Sequence, residues 1–271
     1  MAPKLGIIAG SGTLPRKLVE KCRETGRDCF VLAFEGETDP AVVEGVDHLW
    51  SRLGAAGKNF ARLRDAGVQE IVMAGGVRRP SLTGLRPDWR AAQFFARIGL
   101  RALGDDGLLS AVIKELEREG FTLVGVDSVL DDALAPEGAF GRHQPDDQAL
   151  ADIEHGFRVA AALGTLDIGQ AVIVQQGMVL GVEAIEGTDA LIRRCARLRR
   201  DGPGGVLIKA KKPEQERRAD LPTIGPQTVE AAYEAGLRGV AVEAHATLVV
   251  ERAELTELAD RLGLFVYGRA V

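Results

Sequence analysis

The most suggestive chemistry in the sequence is a set of regularly spaced acidic residues. The segment GVEAIEGTDALIRR (residues 181–194) places Glu183, Glu186 and Asp189 at intervals of three, where an apolar strand is predicted to give way to a helix. Acidic side chains near a helix N-terminus are favoured by the helix dipole by about 0.3–1 kcal/mol each, without any catalytic role. The spacing alone leaves both interpretations open, a helix cap and the acidic wall of an active site.

Lysines and an aspartate lie close together in the segment GGVLIKAKKPEQERRADLPTIGPQT (residues 204–228). Strand alternation predicts Lys209 and Lys211 on one face of a strand, with apolar residues on the other. Asp220 precedes a turn that leads into a helix N-terminus, a place suited to binding an anion. An aspartate beside such a site is suited to Mg²⁺, which prefers few carboxylates together with substrate phosphate oxygens. Enzymes that transfer phosphoryl groups commonly use lysine and a metal ion together to neutralise the charge on the phosphates.

A glycine turn follows the first predicted strand, in AGSGTLP at residues 9–15. Gly10 and Gly12 would let backbone N–H groups approach a phosphate closely at the start of a helix. The match to a dinucleotide-binding motif is incomplete, because Pro15 replaces its third glycine and the second strand ends before Glu35, with no acidic residue closing it. A tight turn without a ligand, a nucleotide site and a nicotinamide-dependent oxidoreductase therefore all stay open.

A second glycine turn, in MAGGVRRPSLTGLRP, ends another predicted strand with Gly75 and Gly76. The helix predicted after it carries four arginines within a narrow arc and is otherwise almost wholly apolar. These arginines are Arg86, Arg90, Arg97 and Arg101. A solvated charge stripe is the default interpretation. The alternative is a helix that presents basic groups to phosphates and an apolar surface to a hydrophobic ligand.

Composition excludes several classes of protein. The chain has 271 residues, of which 46% are hydrophobic and 27% charged, as expected of a globular protein with one large or two ordinary domains. Its formal net charge of -5 argues against a general nucleic-acid binder. Three dispersed cysteines suit a reducing cytoplasm, and the four histidines show no ligand spacing. No apolar run approaches the roughly 18 residues of a membrane span, and the first residues do not resemble a signal peptide.

The order of predicted elements indicates an α/β fold. Strands and helices alternate through the first half, which predicts a Rossmann-like, mostly parallel sheet domain over residues 1–134. A polar connection rich in proline and glycine follows, over residues 130–148. Residues 135–271 are predicted to form an α+β domain that includes a hairpin around Gln176-Gly177. This second domain carries the acidic motifs, and the active site is expected at the interface of the two domains.

Five motifs in register along nearly the whole chain resemble one protein family. They are IAGSGTLP, MAGGVRRP, GDDGLL, QQGMVLGVEAIEGTD and DLPTIGPQT. The chain resembles the UDP-2,3-diacylglucosamine pyrophosphatases of bacterial lipid A biosynthesis, in their two-domain form that is not built like a calcineurin-type phosphoesterase. The resemblance implies Mg²⁺-dependent hydrolysis of UDP-2,3-diacylglucosamine to UMP and 2,3-diacylglucosamine 1-phosphate (lipid X). It also implies a cytoplasmic enzyme in transient contact with the inner face of the inner membrane. The sequence leaves the oligomeric state open, a homodimer included.

The resemblance also implies a role for each candidate residue. The expected catalytic residues are Asp220, Glu183, Glu186, Asp189 and Lys209, and the expected magnesium ligands are Asp220, Glu186 and Asp189. The expected substrate-binding residues are Gly10, Ser11, Gly12, Thr13, Gly75, Gly76, Val77, Lys211 and Thr223. The alternative is a nucleotide-binding regulator without catalytic activity. In such a protein, Glu183, Glu186 and Asp189 would only interact favourably with the helix dipole.

Overall fold

The chain folds into two compact units, of which a computed structural model describes residues 2–78, 87–98, 105–213 and 215–270. The first unit comprises Met1–Asp131 together with Glu216–Asp220. The second comprises Asp132–Gln215 and Leu221–Val271. The predicted division between residues 134 and 135 does not anticipate that a segment from late in the chain belongs to the first unit.

The first unit is built on a five-stranded, fully parallel sheet in the order β3-β2-β1-β4-β5. Its strands are β1 (Leu5–Ala9), β2 (Cys29–Phe34), β3 (His48–Ser51), β4 (Glu70–Ala74) and β5 (Thr122–Leu123). Its helices are α1 (Leu14–Thr25), α2 (Ala56–Asp65), α3 (Trp89–Ile98) and α4 (Asp105–Arg118). The predicted Rossmann-like arrangement is confirmed, although the strand expected in FTLVGV has only its Thr122–Leu123 part.

Local sequence explains the alternation of strand and helix in the first unit. The strand β1 is buried at every position, as expected for a central strand with both faces covered. Pro15 lies in the first turn of α1, where its missing N–H costs nothing. The helix ends at Gly26, whose φ of 66° is a left-handed conformation that glycine adopts without strain. The chain therefore turns back sharply into β2.

The second unit contains a mixed six-stranded sheet and a small two-stranded sheet. The larger sheet has the order β6-β13-β11-β9-β7-β8, and the smaller pairs β10 with β12. The strands are β6 (Gly138–Ala139), β7 (Ala171–Gln175), β8 (Met178–Val182), β9 (Val206–Lys209), β10 (Thr223–Ile224), β11 (Gly239–Glu243), β12 (Leu248–Val249) and β13 (Phe265–Arg269). The helices are α5 (Asp147–Thr165), α6 (Thr188–Cys195), α7 (Pro226–Glu234) and α8 (Arg252–Leu262). A mixed sheet with helices agrees with the predicted fold class.

Helices cover both faces of the six-stranded sheet. Ile153 and Phe157 of α5 belong to a hydrophobic cluster with Ile208 of β9 on one face. The helices α6, α7 and α8 pack on the opposite face, where Leu191 and Leu207 are fully buried in a second cluster. Because both faces are covered, β9 is buried at all of its positions. As the predicted alternation requires, Ile208 and Ala210 lie in the same cluster and Leu207 in the opposite one, but Lys211 lies beyond the end of the strand.

Candidate functional site

The two glycine turns of the first unit are packed directly against each other. Ser11 and Gly76 form an isolated antiparallel bridge, and both the N–H and the hydroxyl of Ser11 donate to the carbonyl of Gly76, at 2.8 and 2.9 Å. The N–H of Gly10 donates to Ala74, also at 2.8 Å. A Cβ atom on Gly10 would overlap the carbonyl of Gly76, and Gly75 has a φ of 86°. Close backbone packing alone accounts for these glycines, and their predicted contact with phosphate stays a prediction.

A cavity of about 690 Å³ opens beside the first of these turns. Gly12 and Thr13 line it, together with residues that follow β2 and with Trp50 of β3. The cavity thus lies beyond the carboxyl ends of the strands, which is where ligands bind in open parallel sheets. Glu35 also lines it, directly after β2 ends. The sequence assigned no role to Glu35, because the second strand ends before it. Val77 is exposed and is absent from the described cavity lining.

Three described arginines in and after the second glycine turn are engaged with acids of the same unit. Arg78 donates to Glu37 at 3.0 Å and to the carbonyl of Gly36 at 3.0 Å. In α3, Arg90 pairs with Glu119 at 2.6 Å, and Arg97 pairs with Glu115 at 3.0 Å. These contacts favour the solvated, ion-paired stripe over a phosphate-binding helix. Arg86 and Arg101 lie outside the described residues.

Asp220 ends the segment that returns to the first unit, Glu216–Asp220. Arg218 donates to Glu117 of α4 at 2.9 Å and to the carboxylate of Glu216. Arg217 pairs with Asp127 at 3.2 Å, and Ala219 packs against the hydrophobic cluster of the unit.

The same segment also has local hydrogen bonds around Asp220. The N–H of half-buried Asp220 donates to the carbonyl of Glu216 at 2.9 Å. Hydrogen bonds from Arg218 lower the pKa of Glu216. The backbone that carries Asp220 is therefore anchored by ion pairs, a turn and an apolar contact. Sequence reasoning set aside the arginines before Asp220, and their contacts with α4 are visible only in the fold.

Two of the three acidic residues in the segment 181–194 have hydrogen-bond or ion-pair partners in the structure. Glu183 is 7% exposed, and it accepts hydrogen bonds from Gln170 N at 3.1 Å and from the Thr188 hydroxyl at 2.7 Å. Glu186 is exposed and pairs with Arg194 at 2.8 Å. Its own backbone N–H and Arg194 hold the pKa of Glu186 below its ordinary value. Asp189 is exposed in the first turn of α6. The predicted catalytic role of these acids stays a prediction.

The structure brings together two of the predicted residues in the second unit. Lys209 ends β9 and is 9% exposed, and its amine donates to the carbonyl of Thr223 at 3.0 Å. Lys211 is half-buried, and its backbone N–H donates to Glu243 at 2.9 Å. Its amine donates to the carbonyl of Lys212 at 3.0 Å. Lys209 therefore holds the strand that precedes α7 in place, whereas Lys211 contacts a different strand end.

The donor set only partly fits the three-ligand magnesium site that the sequence predicts. Within the described ranges, no three His, Cys, Asp or Glu residues form a group that could hold a metal ion. Glu186 is already paired with Arg194, and Asp189 is exposed on its helix. Mg²⁺ commonly uses one or two carboxylates with substrate phosphate oxygens and water. A site of that simpler kind, with Asp220 as the carboxylate, stays a prediction.

None of the helices in the described part of the chain is both long enough and apolar enough to cross a bilayer.

Comparison with known proteins settles the family. Residues 4–133 match the model of the LpxI N-terminal domain, and residues 136–267 match the model of the LpxI C-terminal domain. This chain belongs to the LpxI family. The LpxI protein of Caulobacter vibrioides strain CB 15, named UDP-2,3-diacylglucosamine pyrophosphatase, is 42% identical over 98% of this chain and 97% of its own length. The resemblance found in the sequence motifs is thereby confirmed.

Solved structures show much weaker likeness to this LpxI family member. The biotin carboxylase of Campylobacter jejuni is 14% identical, with a TM-score of 0.24 over 72% of this chain and 42% of the carboxylase. The biotin carboxylase subunit of a pyruvate carboxylase is 15% identical, with a TM-score of 0.23 over 64% of this chain and 35% of that one. The chain spans less than half the length of these carboxylases, and such low TM-scores support no inference about fold or function.

Proposed function

We propose that this chain is a UDP-2,3-diacylglucosamine pyrophosphatase of lipid A biosynthesis. Water attacks one phosphorus of the substrate diphosphate, the bridging P–O bond breaks, and UMP and 2,3-diacylglucosamine 1-phosphate are released. The observation that carries this proposal is the 42% identity to a pyrophosphatase of that name over 98% of this chain. Identity over the full length of both proteins supports a shared activity rather than a shared domain alone.

Asp220 is the central residue of the proposed reaction. Its carboxylate either positions the attacking water or holds a magnesium ion together with phosphate oxygens, and it is carried by an anchored segment. Magnesium, when bound, would polarise the phosphoryl oxygens and neutralise charge on the diphosphate. Correct placement of a water-orienting group is worth several orders of magnitude in rate, so the anchoring of Asp220 is functionally relevant.

Lys209 and Lys211 are proposed to neutralise charge on the diphosphate. The amine of Lys209 is held in a fixed position by the carbonyl of Thr223 at 3.0 Å, and a fixed cation needs little reorganisation as charge develops. Glu183, Glu186 and Asp189 complete the acidic side of the proposed site. The glycine turns are proposed to accommodate the nucleotide end of the substrate.

The cellular setting is also a proposal. A substrate with two acyl chains resides in a membrane, so the enzyme is proposed to act from the cytoplasm in transient contact with the inner membrane. A homodimer stays a prediction, since no described feature tests it.

The decisive experiment is product analysis by mass spectrometry. UDP-2,3-diacylglucosamine is incubated with the protein in ¹⁸O water, with Mg²⁺ or with EDTA. We expect UMP and lipid X only with Mg²⁺, and a loss of turnover of at least about a hundredfold in Asp220→Ala. The control is Asp65→Ala, which removes an exposed carboxylate from the end of α2 and should retain full turnover.

The position of the label identifies the phosphorus that water attacks. Absence of product from folded wild-type protein with Mg²⁺ would contradict the proposed activity and favour a nucleotide-binding regulator. Near-normal turnover in folded Asp220→Ala would leave the activity intact but remove Asp220 from its central role.

A further inference from the structure

Five arginines of the second unit lie close together in the stretch 193–200, which begins in α6 and ends in the loop before β9. They are Arg193, Arg194, Arg197, Arg199 and Arg200, and all five are exposed. We call this stretch the basic segment. The whole chain has a formal net charge of -5, so the basic segment is opposite in charge to the rest of the molecule.

Most arginines of the basic segment have no acidic partner. Arg194 pairs with Glu186 at 2.8 Å, whereas the other four form no ion pair among the described residues. Two arginines of α3, by contrast, are paired with glutamates. The helix dipole favours basic residues in the last turn of α6, but it does not account for Arg199 and Arg200, which follow the helix. Clustered like charges repel one another, and an anionic partner would relieve that repulsion.

Exposed apolar side chains accompany these charges. Leu198, between the arginines, is 48% exposed, and Met178, the first residue of β8, is 53% exposed. Met178 lies opposite Gln175 in the hairpin, and opposite residues of antiparallel strands point to the same face of a sheet. On that face the side chain of Gln175 binds the backbone of Arg200, so Met178 belongs to the same surface as the basic segment.

The basic segment is attached to the sheet at both of its ends. Buried Gln175 donates to the carbonyls of Arg200 and Pro203 at 2.9 and 2.8 Å, and it accepts the N–H of Arg200 at 3.0 Å. Near the other end, Cys195 is fully buried with Leu191 in the hydrophobic core. A surface that is held in this way loses little conformational entropy when it binds a partner.

We infer that the basic segment, together with Leu198 and Met178, is a docking surface for an anionic lipid bilayer. The arginines face the phosphates of the lipid headgroups, and the two apolar side chains enter the boundary between headgroups and acyl chains. Each basic residue near an anionic membrane strengthens binding by roughly fivefold. A soluble polyanion such as a nucleic acid would pair with the charges but would leave the apolar side chains in water. The combination therefore favours a lipid surface.

The inference rests on the proposed function, because that function requires access to a substrate that resides in a membrane. It goes further by naming the surface that makes the contact and the lipid charge that this surface recognises.

Flotation of the full chain with lipid vesicles tests the inference. Wild-type protein should float with vesicles of equimolar phosphatidylcholine and phosphatidylglycerol, and not with vesicles of phosphatidylcholine alone. Arg197→Gln/Arg200→Gln should weaken this binding by about tenfold or more, because two charges are lost. The matched control is Arg52→Gln/Arg158→Gln, which removes two exposed arginines outside the basic segment and gives the same net charge. Binding of the wild type should also fall as the salt concentration rises.

The apolar contribution is tested separately with Leu198→Ser. This variant should bind the anionic vesicles about threefold to tenfold more weakly, and its binding to heparin, a soluble polyanion, should not change. Leu166→Ser is the control, because Leu166 is 69% exposed and lies just after α5, away from the basic segment in the sequence. Both leucines are exposed, so both variants should fold, which circular dichroism checks.

The outcomes separate the inference from the proposed function. Equal binding to the two kinds of vesicle, binding to neither, or equal losses in Arg197→Gln/Arg200→Gln and its control would overturn the inference. Binding to heparin without binding to anionic vesicles would also overturn it and would favour a nucleic acid as the partner. In each of these cases, hydrolysis of UDP-2,3-diacylglucosamine in detergent micelles would leave the proposed function standing. Vesicle binding with the expected sensitivities supports the docking surface even if the substrate is not hydrolysed.

Discussion

At the scale of single residues, buried carboxylates of the second unit hold the backbone in shape. Asp152 is 1% exposed, and it accepts the N–H groups of Gln176 and Gly177 at 2.9 and 2.7 Å. These two residues have φ values of 51° and 75°, as in the tight turns that join antiparallel strands. The helix α5 is thereby attached to the turn between β7 and β8. Glu183 has a similar role where β8 leads into α6.

Asp152→Ala is expected to lower the free energy of unfolding by about 2–4 kcal/mol, because it removes the buried, charged acceptor of two hydrogen bonds from the turn. Chemical denaturation followed by circular dichroism measures the change. The control Asp147→Ala removes an exposed carboxylate from the first turn of the same helix and should cost no more than about 1 kcal/mol. Equal losses in the two variants would show that the turn does not depend on Asp152.

At the scale of elements, the segment Glu216–Asp220 is the feature most closely connected to the proposed chemistry. Its Arg218 side chain reaches α4, and its Arg217 side chain reaches Asp127 in the short 3₁₀ helix Val126–Ser128. Each of these pairs is partly exposed and individually weak. Together with the apolar contact of Ala219 they restrict the backbone before Asp220, so the effect of losing them should be larger on turnover than on stability.

Arg218→Met is expected to reduce kcat by about tenfold to a hundredfold with little change in KM, because it frees the segment that positions Asp220. Arg218→Lys should recover part of the loss. The control is Arg118→Met. It removes an exposed ion pair with Glu115 within α4, the helix that Arg218 contacts, and it does not involve the segment Glu216–Asp220. An unchanged kcat in folded Arg218→Met would show that these contacts do not position Asp220.

Arg218→Met is also expected to change the pKa of Glu216. The folded-state pKa of Glu216 is below its ordinary value of 4.5. The pair with Arg218 therefore contributes stability above that value, and the contribution is lost as the pH falls through the folded-state pKa. In Arg218→Met the pKa of Glu216, followed by NMR, should rise toward 4.5.

At the scale of the whole molecule, the two units are not simple consecutive halves of the chain. The first unit takes Glu216–Asp220 from within the stretch of sequence that otherwise forms the second. The position of Asp220, the proposed central residue, therefore depends on the stability of the first unit. The residues before Glu216 and after Asp220 belong to the second unit. A fragment ending at Asp131 would lack this segment.

Hydrogen exchange should show this dependence. Leu116→Ala, in the core of the first unit, should speed amide exchange at Ala219 and Asp220, since local opening follows the stability of the structure on which a segment packs. Leu191→Ala, a fully buried residue in the core of the second unit, is the matched control and should have a much smaller effect on those amides. The reverse ranking would contradict the assignment of the segment to the first unit.

Much of the architecture could be read from local pattern. The apolar run of β1, the proline and glycine at the two ends of α1, and the Gln176-Gly177 turn each specify a local conformation through short-range sterics and hydrogen bonds. The parallel sheet of the first unit and the hairpin of the second were therefore predictable. The family, too, was evident from motifs in register along the chain.

The partners of individual side chains were decided only by the tertiary structure. The sequence could not show that Lys209 is buried against Thr223, or that Ser11 uses its donors on Gly76. Nor could it show that Glu35 lines a cavity with Trp50, or that residues near Asp220 pack against α4. Such contacts join residues far apart in the chain, and they form only when whole elements pack to bury apolar surface. Residue type and spacing determine which chemistry is available, and long-range packing determines which groups meet.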